Sequence, residues 1–217
     1  MARAWVISYE RPVMMGKGRL EAFSDGVLAV AITLLAFNLH AGVRSKVPLA
    51  TQILQQWPSF AAYVLSFFII GVIWLNHHYL LTFTNTVDRR LMLYNLLLLF
   101  FVATIPYATA TYADYVLLSG ADAHTAVLVY TFIMEGMAIS RFLICYHIFK
   151  AGLNHSRVPE QEVRALFRRY GLATVVFPVI AVLAITIDVR LVLVLNALLL
   201  MYYLGPGLRP IKTASQT

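Results

Sequence analysis

The fold is decided by residues 19–37, RLEAFSDGVLAVAITLLAF, in which a short polar segment leads into an apolar run. Between Val27 and Phe37 the only polar residue is Thr33. A bilayer core about 30 Å thick requires roughly 20 helical residues at about 1.5 Å each. The stretch from Leu20 to Leu39 therefore predicts a transmembrane helix.

The composition of the whole chain is also strongly apolar. Among its 217 residues, 60% are hydrophobic and 12% are charged, whereas soluble domains have roughly 45–50% and about 25%. So few charges exclude a disordered chain, and a single cysteine, Cys145, excludes an internal disulfide. We predict an all-α integral membrane protein.

Five more apolar runs follow the first and complete six predicted spans. They form one transmembrane domain over residues 1–217, with approximate spans at 20–39, 60–83, 91–112, 126–149, 172–187 and 191–204. Segment 45–58 is too short and polar to cross a membrane. Its apolar residues recur at helical spacing, which predicts a helix along the membrane interface.

Lysine and arginine are distributed unevenly between the two sets of loops. Most of the 17 fall in one set, namely Arg3, Arg11, Lys17, Arg19, Arg89, Arg90, Lys150, Arg157, Arg164, Arg168, Arg169, Arg209 and Lys212. The other set has Arg44, Lys46 and Arg190, and Arg141 lies inside the fourth span. Because basic loops favour the cytoplasm, both termini are predicted to be cytoplasmic. Topology explains the net charge of +7, and no nucleic-acid partner is predicted.

Polar residues in the first two spans require an explanation, because ionisable groups at membrane depth are costly unless paired or hydrated. One interpretation makes Ser24 or Asp25 the N-cap of the first helix. The other is a single buried network that supports architecture and gating without coordinating ions. Its members would be Arg19, Phe23, Ser24, Asp25, Trp74, His77 and His78.

The pattern R-x-x-x-F-S-D at residues 19–25 resembles the first-helix signature of the prokaryotic transmembrane-protein-175 family of potassium channels. The resemblance continues through Gly26, the pattern W-x-x-H-H at residues 74–78, and Asn95 and Pro106 on the third span. It implies a homotetramer of six-helix subunits in a prokaryotic inner membrane, surrounded by lipid. The first helices would line a central pore for K⁺ and other monovalent cations. The TVGYG filter of ordinary potassium channels is absent from this sequence.

A pore-lining first helix must turn one face toward the pore axis. Residues at helical spacing after Asp25 form a stripe of Val30, Thr33, Leu34 and Phe37. An apolar ring can gate by dewetting, and a narrow ring strips part of an ion's hydration shell. Since K⁺ is less strongly hydrated than Na⁺, the stripe predicts a hydrophobic constriction that favours K⁺. The Thr33 hydroxyl could replace lost water.

Two other classes of function remain open from the residues. A proton or cation secondary transporter fits the polar spans, although the internal repeats typical of that class are not found. An intramembrane metal-dependent enzyme could use Asp25, His77, His78 and Glu135. Adjacent His77 and His78 would point about 100° apart on a helix, which disfavours a shared metal. The chain is therefore predicted not to be an enzyme, and neither a cofactor nor a metal is expected.

Overall fold

A computed structural model describes residues 16–39, 47–118, 120–155 and 158–204. Seven α-helices are described: α1 (Lys17–Leu35), α2 (Leu49–Gln55), α3 (Trp57–Thr82), α4 (Arg89–Tyr115), α5 (Ala121–Lys150), α6 (Glu160–Thr186) and α7 (Leu191–Leu204). A 3₁₀ turn, Ala36–Asn38, extends α1. In these ranges strand pairing is limited to one bridge, between Thr84 and Asn154. The all-α prediction is confirmed.

Five of the described helices are long and apolar enough to cross a bilayer: α1 with its 3₁₀ turn, α3, α4, α5 and α6. The chain is therefore a multi-pass membrane protein. Helix α7 is apolar but has 14 residues, or about 21 Å, which is shorter than the bilayer core of about 30 Å. The sixth crossing stays a prediction. Both chain termini lie outside the described residues.

The five long helices all begin before their predicted spans, and the difference is largest for α6. Helix α6 starts at Glu160, well before the predicted start at Leu172, and Arg164 pairs with Glu160 at 2.7 Å within its first turns. Hydropathy marks only the apolar part of a helix, whereas such pairs, four residues apart, extend it into the polar region. Helix α6 thus joins the polar residues 160–169 and the predicted fifth span in one continuous helix.

The early start of α1 overturns the capping interpretation of Ser24 and Asp25. Helix α1 begins at Lys17, with Gly16 in the N-cap position, so both residues lie well inside the helix. The Ser24 hydroxyl donates a hydrogen bond to the Leu20 carbonyl at 2.8 Å. An N-cap side chain would instead accept from a free backbone N–H. The N-cap interpretation is wrong, and other partners must stabilise these residues.

The helices pack around α4 and α5, which make the most extensive contact in the bundle. Helix α5 also packs against α6, and α1 lies at the edge against α4 and α3. One side of α1 is buried through Leu20, Ser24, Leu28, Ala31 and Leu35. These residues recur every three or four positions, so α1 presents a single stripe to the bundle.

Two loops at one end of the bundle are joined to each other. The backbone N–H of Asn85 donates to the Leu153 carbonyl at 2.9 Å, and that of His155 donates to the Phe83 carbonyl at 3.0 Å. The loop after α3 and the loop after α5 therefore lie at the same end. The predicted topology placed the basic residues of both loops on one side of the membrane.

Helices α4 and α5 approach closely at Gly136, where an added Cβ would overlap the Phe101 ring. We expect Gly136→Ala to be about 1–3 kcal/mol less stable than Gly71→Ala, because overpacking forces side chains to move. Gly71→Ala is the matched control, since a Cβ there meets no atom within 4 Å. Chemical denaturation in detergent, followed by circular dichroism, measures the difference. Equal stability of the two variants would show that the Phe101 ring can move aside without cost.

Candidate functional site

The predicted stripe lies on the side of α1 that points away from the bundle. Val30 is 56% exposed, Leu34 is 43% exposed and Phe37 is 78% exposed, and Thr33 is exposed as well. The structure thus brings the four stripe residues onto one open face, opposite the buried stripe of α1. In a membrane protein such a face meets lipid, another subunit or a water-filled path.

An open apolar groove of about 490 Å³ runs beside this face. Its walls are lined by side chains of α1, among them Phe23, Val27, Val30 and Leu34, and by Ala103 of α4. Gly26 lies in the same groove and adds no side chain. The exposed face and the groove together form a continuous apolar surface along α1.

Thr33 is the polar member of the stripe. Its hydroxyl donates to the Val30 carbonyl of the same helix at 2.8 Å. A hydroxyl has one donor and two lone pairs, so this bond uses the proton and leaves the oxygen as an acceptor. The arrangement presents lone pairs on an otherwise apolar face, and lone pairs are what a partly dehydrated cation requires.

A buried polar chain of three side chains, from α3, α4 and α1, lies behind the stripe. His77 Nε2 is 2.7 Å from Asn95 Oδ1, and Asn95 Nδ2 donates to Ser24 Oγ at 2.9 Å. Since an amide oxygen only accepts, His77 must carry its proton on Nε2. The exposed fractions of Ser24, Asn95 and His77 are 0%, 1% and 2%. The hydrogen bonds therefore run in one direction, from His77 through Asn95 and Ser24 to the Leu20 carbonyl.

A second polar contact lies on the surface between α1 and α3. The Trp74 indole Nε1–H donates to Asp25 Oδ1 at 2.8 Å. The His78 ring stacks on Trp74 with 6.5 Å between the ring centroids. Asp25, Trp74 and His78 are all exposed in the single chain. An exposed carboxylate remains hydrated, so this contact differs in energy from the buried chain.

The single buried network predicted from the sequence is therefore divided into two. Residues Trp74 and His77 share helix α3, but the first is exposed and the second is buried. Arg19 and Phe23 belong to neither set. Both are exposed, and no residue in the described ranges hydrogen-bonds to the Arg19 side chain. Phe23 lines the groove instead.

Asn95 is the residue whose role the sequence reasoning missed. It was noted in the pattern of the third span but was not placed in the network, although it joins both other members. A polar amide inside an apolar span was the available signal. Asn38 was missed too: its amide donates to the Pro106 carbonyl at 3.1 Å and ties the end of α1 to α4.

The four residues considered as metal ligands are dispersed. His77 is bonded to Asn95, Asp25 and His78 are on the surface, and Glu135 lies on α5. Among the residues that the structure describes, no three His, Cys, Asp or Glu side chains are grouped closely enough to hold a metal ion.

Both polar sets lie within the part of the chain that matches a known protein family. A family model described as endosomal/lysosomal potassium channel TMEM175 matches residues 19–106. A potassium channel of Streptomyces collinus is 39% identical over 198 residues, which cover 88% of this chain and 92% of that protein. The chain belongs to the TMEM175 family. The resemblance inferred from residues 19–25 is confirmed.

A solved structure extends the match beyond the family model. The crystal structure of a lysosomal potassium-selective channel TMEM175 homolog from Chamaesiphon minutus is 31% identical to this TMEM175-family chain. The TM-score is 0.79, and the match covers 89% of this chain and 98% of the other. An endosomal/lysosomal proton channel TMEM175 of Gallus gallus is 33% identical over 103 residues, which cover 43% of this chain and 21% of that protein. The family consists of ion channels, so the prediction that the chain is not an enzyme is confirmed.

Proposed function

We propose that this TMEM175-family chain forms a potassium-selective cation channel in which α1 lines the pore. One observation carries the proposal: Val30, Thr33, Leu34 and Phe37 share the open face of α1, while the opposite face packs on α3 and α4. The names of the bacterial relatives support K⁺ as the permeant ion.

A pore built from a single α1 helix requires several copies of the chain, and rotational symmetry then closes the ring. We propose a homotetramer in which the groove along α1 is covered by the neighbouring subunit. Each subunit would be one six-helix domain over residues 1–217, with α7 as the sixth crossing. We also propose a prokaryotic inner membrane, as the family resemblance implies, and cytoplasmic termini, which the distribution of Lys and Arg supports.

The proposed constriction consists of rings of Val30, Leu34 and Phe37 with a ring of Thr33 hydroxyls between them. Apolar rings resist wetting when narrow, so an ion enters only after losing part of its hydration shell. The cost is smaller for K⁺ than for Na⁺. The Thr33 oxygens, whose protons are engaged by Val30 carbonyls, offer acceptors where water is lost. Selectivity therefore arises without a TVGYG filter.

Single-channel recording in a planar bilayer tests this function. We expect unitary current steps and, with K⁺ on one side and Na⁺ on the other, a reversal potential that follows the K⁺ gradient. A separate recording, with a proton gradient and equal K⁺ on both sides, measures proton permeation, because the Gallus gallus relative is named a proton channel. A reversal potential set by pH would contradict K⁺ selectivity. Saturable, proton-coupled uptake without current steps would indicate a transporter.

The surface contact between Asp25 and Trp74 gives a prediction about assembly. Because both residues border the proposed subunit interface, Asp25→Ala should lower the fraction of tetramer. It removes a bond, worth about 0.5–1.5 kcal/mol, that holds α1 against α3 within each subunit, so the proposed interface surface of α1 is positioned less firmly. Asp25→Asn should be milder, since its amide oxygen still accepts from the indole. Size-exclusion chromatography with light scattering measures the mass of the assembly.

Asp122→Ala is the matched control for this prediction, because Asp122 is an exposed carboxylate in the first turn of α5. It should elute like the unmodified protein. If Asp25→Ala also elutes normally but conducts no ions, Asp25 acts in the permeation path and the structural assignment is wrong.

A further inference from the structure

Arg141 is a buried charge that the proposed channel function does not use. It lies on α5, within a membrane-spanning helix, and is only 4% exposed. No carboxylate in the described ranges pairs with it, and its Nε is buried without a hydrogen-bond partner. An unpaired guanidinium inside a bilayer is costly, and such residues mark functional sites.

Two aromatic rings interact with the charge of Arg141 but leave its N–H donors without hydrogen-bond acceptors among the described residues. The guanidinium carbon is 5.4 Å from the ring centroids of both Tyr170 and Tyr203. Ring faces attract a cation, yet a guanidinium has five N–H donors in a planar fork. None of these donors is bonded to a described residue. Arg141 is thus positioned with its hydrogen-bonding capacity unused.

A second guanidinium increases the positive charge at this position. Arg169 of α6 is 5.2 Å from the same Tyr203 ring. It donates to the Tyr203 carbonyl at 2.7 Å, and the Tyr203 hydroxyl donates back to the Arg169 carbonyl at 2.7 Å. These two bonds fix α6 against α7, so the two cations are held in place beside one ring. The arrangement favours an anion.

Arg141 lines a recess between α3, α5, α6 and α7. The volume of the recess is about 30 Å³, enough for roughly two oxygen atoms. A phosphate group would therefore lie at the mouth of the recess and place two of its oxygens inside. The partly exposed wall residues Ile69, Leu199 and Leu200 place the mouth between α3 and α7, and they are apolar.

We propose that this recess binds the phosphate group of an anionic phospholipid, with Arg141 donating to its oxygens. A guanidinium fork matches two phosphate oxygens, and basic pockets between transmembrane helices bind acidic lipid headgroups. The apolar mouth favours a lipid over free phosphate because acyl chains can follow the surfaces of α3 and α7. The site is separate from α1, so it does not depend on the proposed pore.

Native mass spectrometry of the delipidated, full-length protein in detergent tests the proposal. The probes are phosphatidylglycerol, phosphatidylcholine and inorganic phosphate. Both lipids carry a phosphate group, but only phosphatidylglycerol has a net negative charge, because the choline ammonium neutralises the other headgroup. We expect phosphatidylglycerol to bind at least about tenfold more tightly than phosphatidylcholine, since the two guanidinium charges attract the net anion and repel the ammonium. Arg141→Gln should abolish this preference. Arg164→Gln should retain it, since Arg164 is a surface residue with a 73% exposed side chain.

Two results would overturn the proposal. If inorganic phosphate displaces phosphatidylglycerol at equal concentration, the ligand is a free anion and not a lipid. If both lipids bind equally, the recess does not select for an anionic lipid.

A second variant keeps the test decisive if Arg141→Gln does not fold. Leu199→Trp should close the mouth of the recess while leaving the charge in place, and it should also remove the preference for phosphatidylglycerol. Leu198→Trp is the matched control, because Leu198 is the neighbouring residue and is 60% exposed. A Leu199→Trp protein that binds phosphatidylglycerol as tightly as the unmodified protein would contradict the proposed location.

Discussion

Replacing Leu34 with asparagine is expected to increase the Na⁺ current about tenfold and to lower the preference for K⁺ over Na⁺. Leu34 lies on the open face of α1, between Thr33 and Phe37 in the proposed constriction. A polar ring lets water remain in the narrow part of the pore, so Na⁺ keeps its hydration shell. Lowering a barrier by only about 1.4 kcal/mol is sufficient for a tenfold change in rate. Reversal potentials under bi-ionic conditions measure the selectivity.

Matched substitutions separate an effect on the pore from an effect on the bilayer surface. Val30→Ala on α1 should also raise Na⁺ permeability, because it widens the ring. Val182→Ala makes the same change on α6, where Val182 is 60% exposed, and should leave the current unchanged. If the α1 variants conduct and select like the unmodified protein, α1 does not form the constriction.

Asn95→Leu is expected to lower the free energy of unfolding by about 2–4 kcal/mol. It deletes the acceptor of His77 and the donor to Ser24 at once. The main cost is the His77 N–H, which is left buried without a partner, at about 1–3 kcal/mol. Denaturation of the protein in detergent, with tryptophan fluorescence as the signal, measures the change.

A double variant distinguishes the lost bond from a general packing defect. Asn95→Leu combined with His77→Phe removes both partners and leaves no unpaired donor on His77, so it should recover most of the lost stability. A double variant as unstable as the sum of the two single variants would show that they do not act through a shared bond. Unchanged stability of Asn95→Leu with loss of current would assign Asn95 to ion permeation.

The sequence predicted most of the spans because long apolar runs are a direct consequence of bilayer thickness. Hydropathy placed the start of the fifth span at Leu172, whereas α6 begins at Glu160, because residues 160–169 are helical but polar. The sequence also failed to place Asn95 in the network. Ser24 and Asn95 are separated by 71 positions, and no local pattern specifies a contact over that distance.

The sequence by itself determined the membrane class, the apolar stripe of α1 and the family pattern at residues 19–25. Only the tertiary structure decided which polar residues are buried. Trp74 and His77 lie one helical turn apart, yet Trp74 bonds to exposed Asp25 while His77 bonds to buried Asn95. Helical periodicity fixes which residues share a face, but the helices that pack against α3 determine which of its faces is buried.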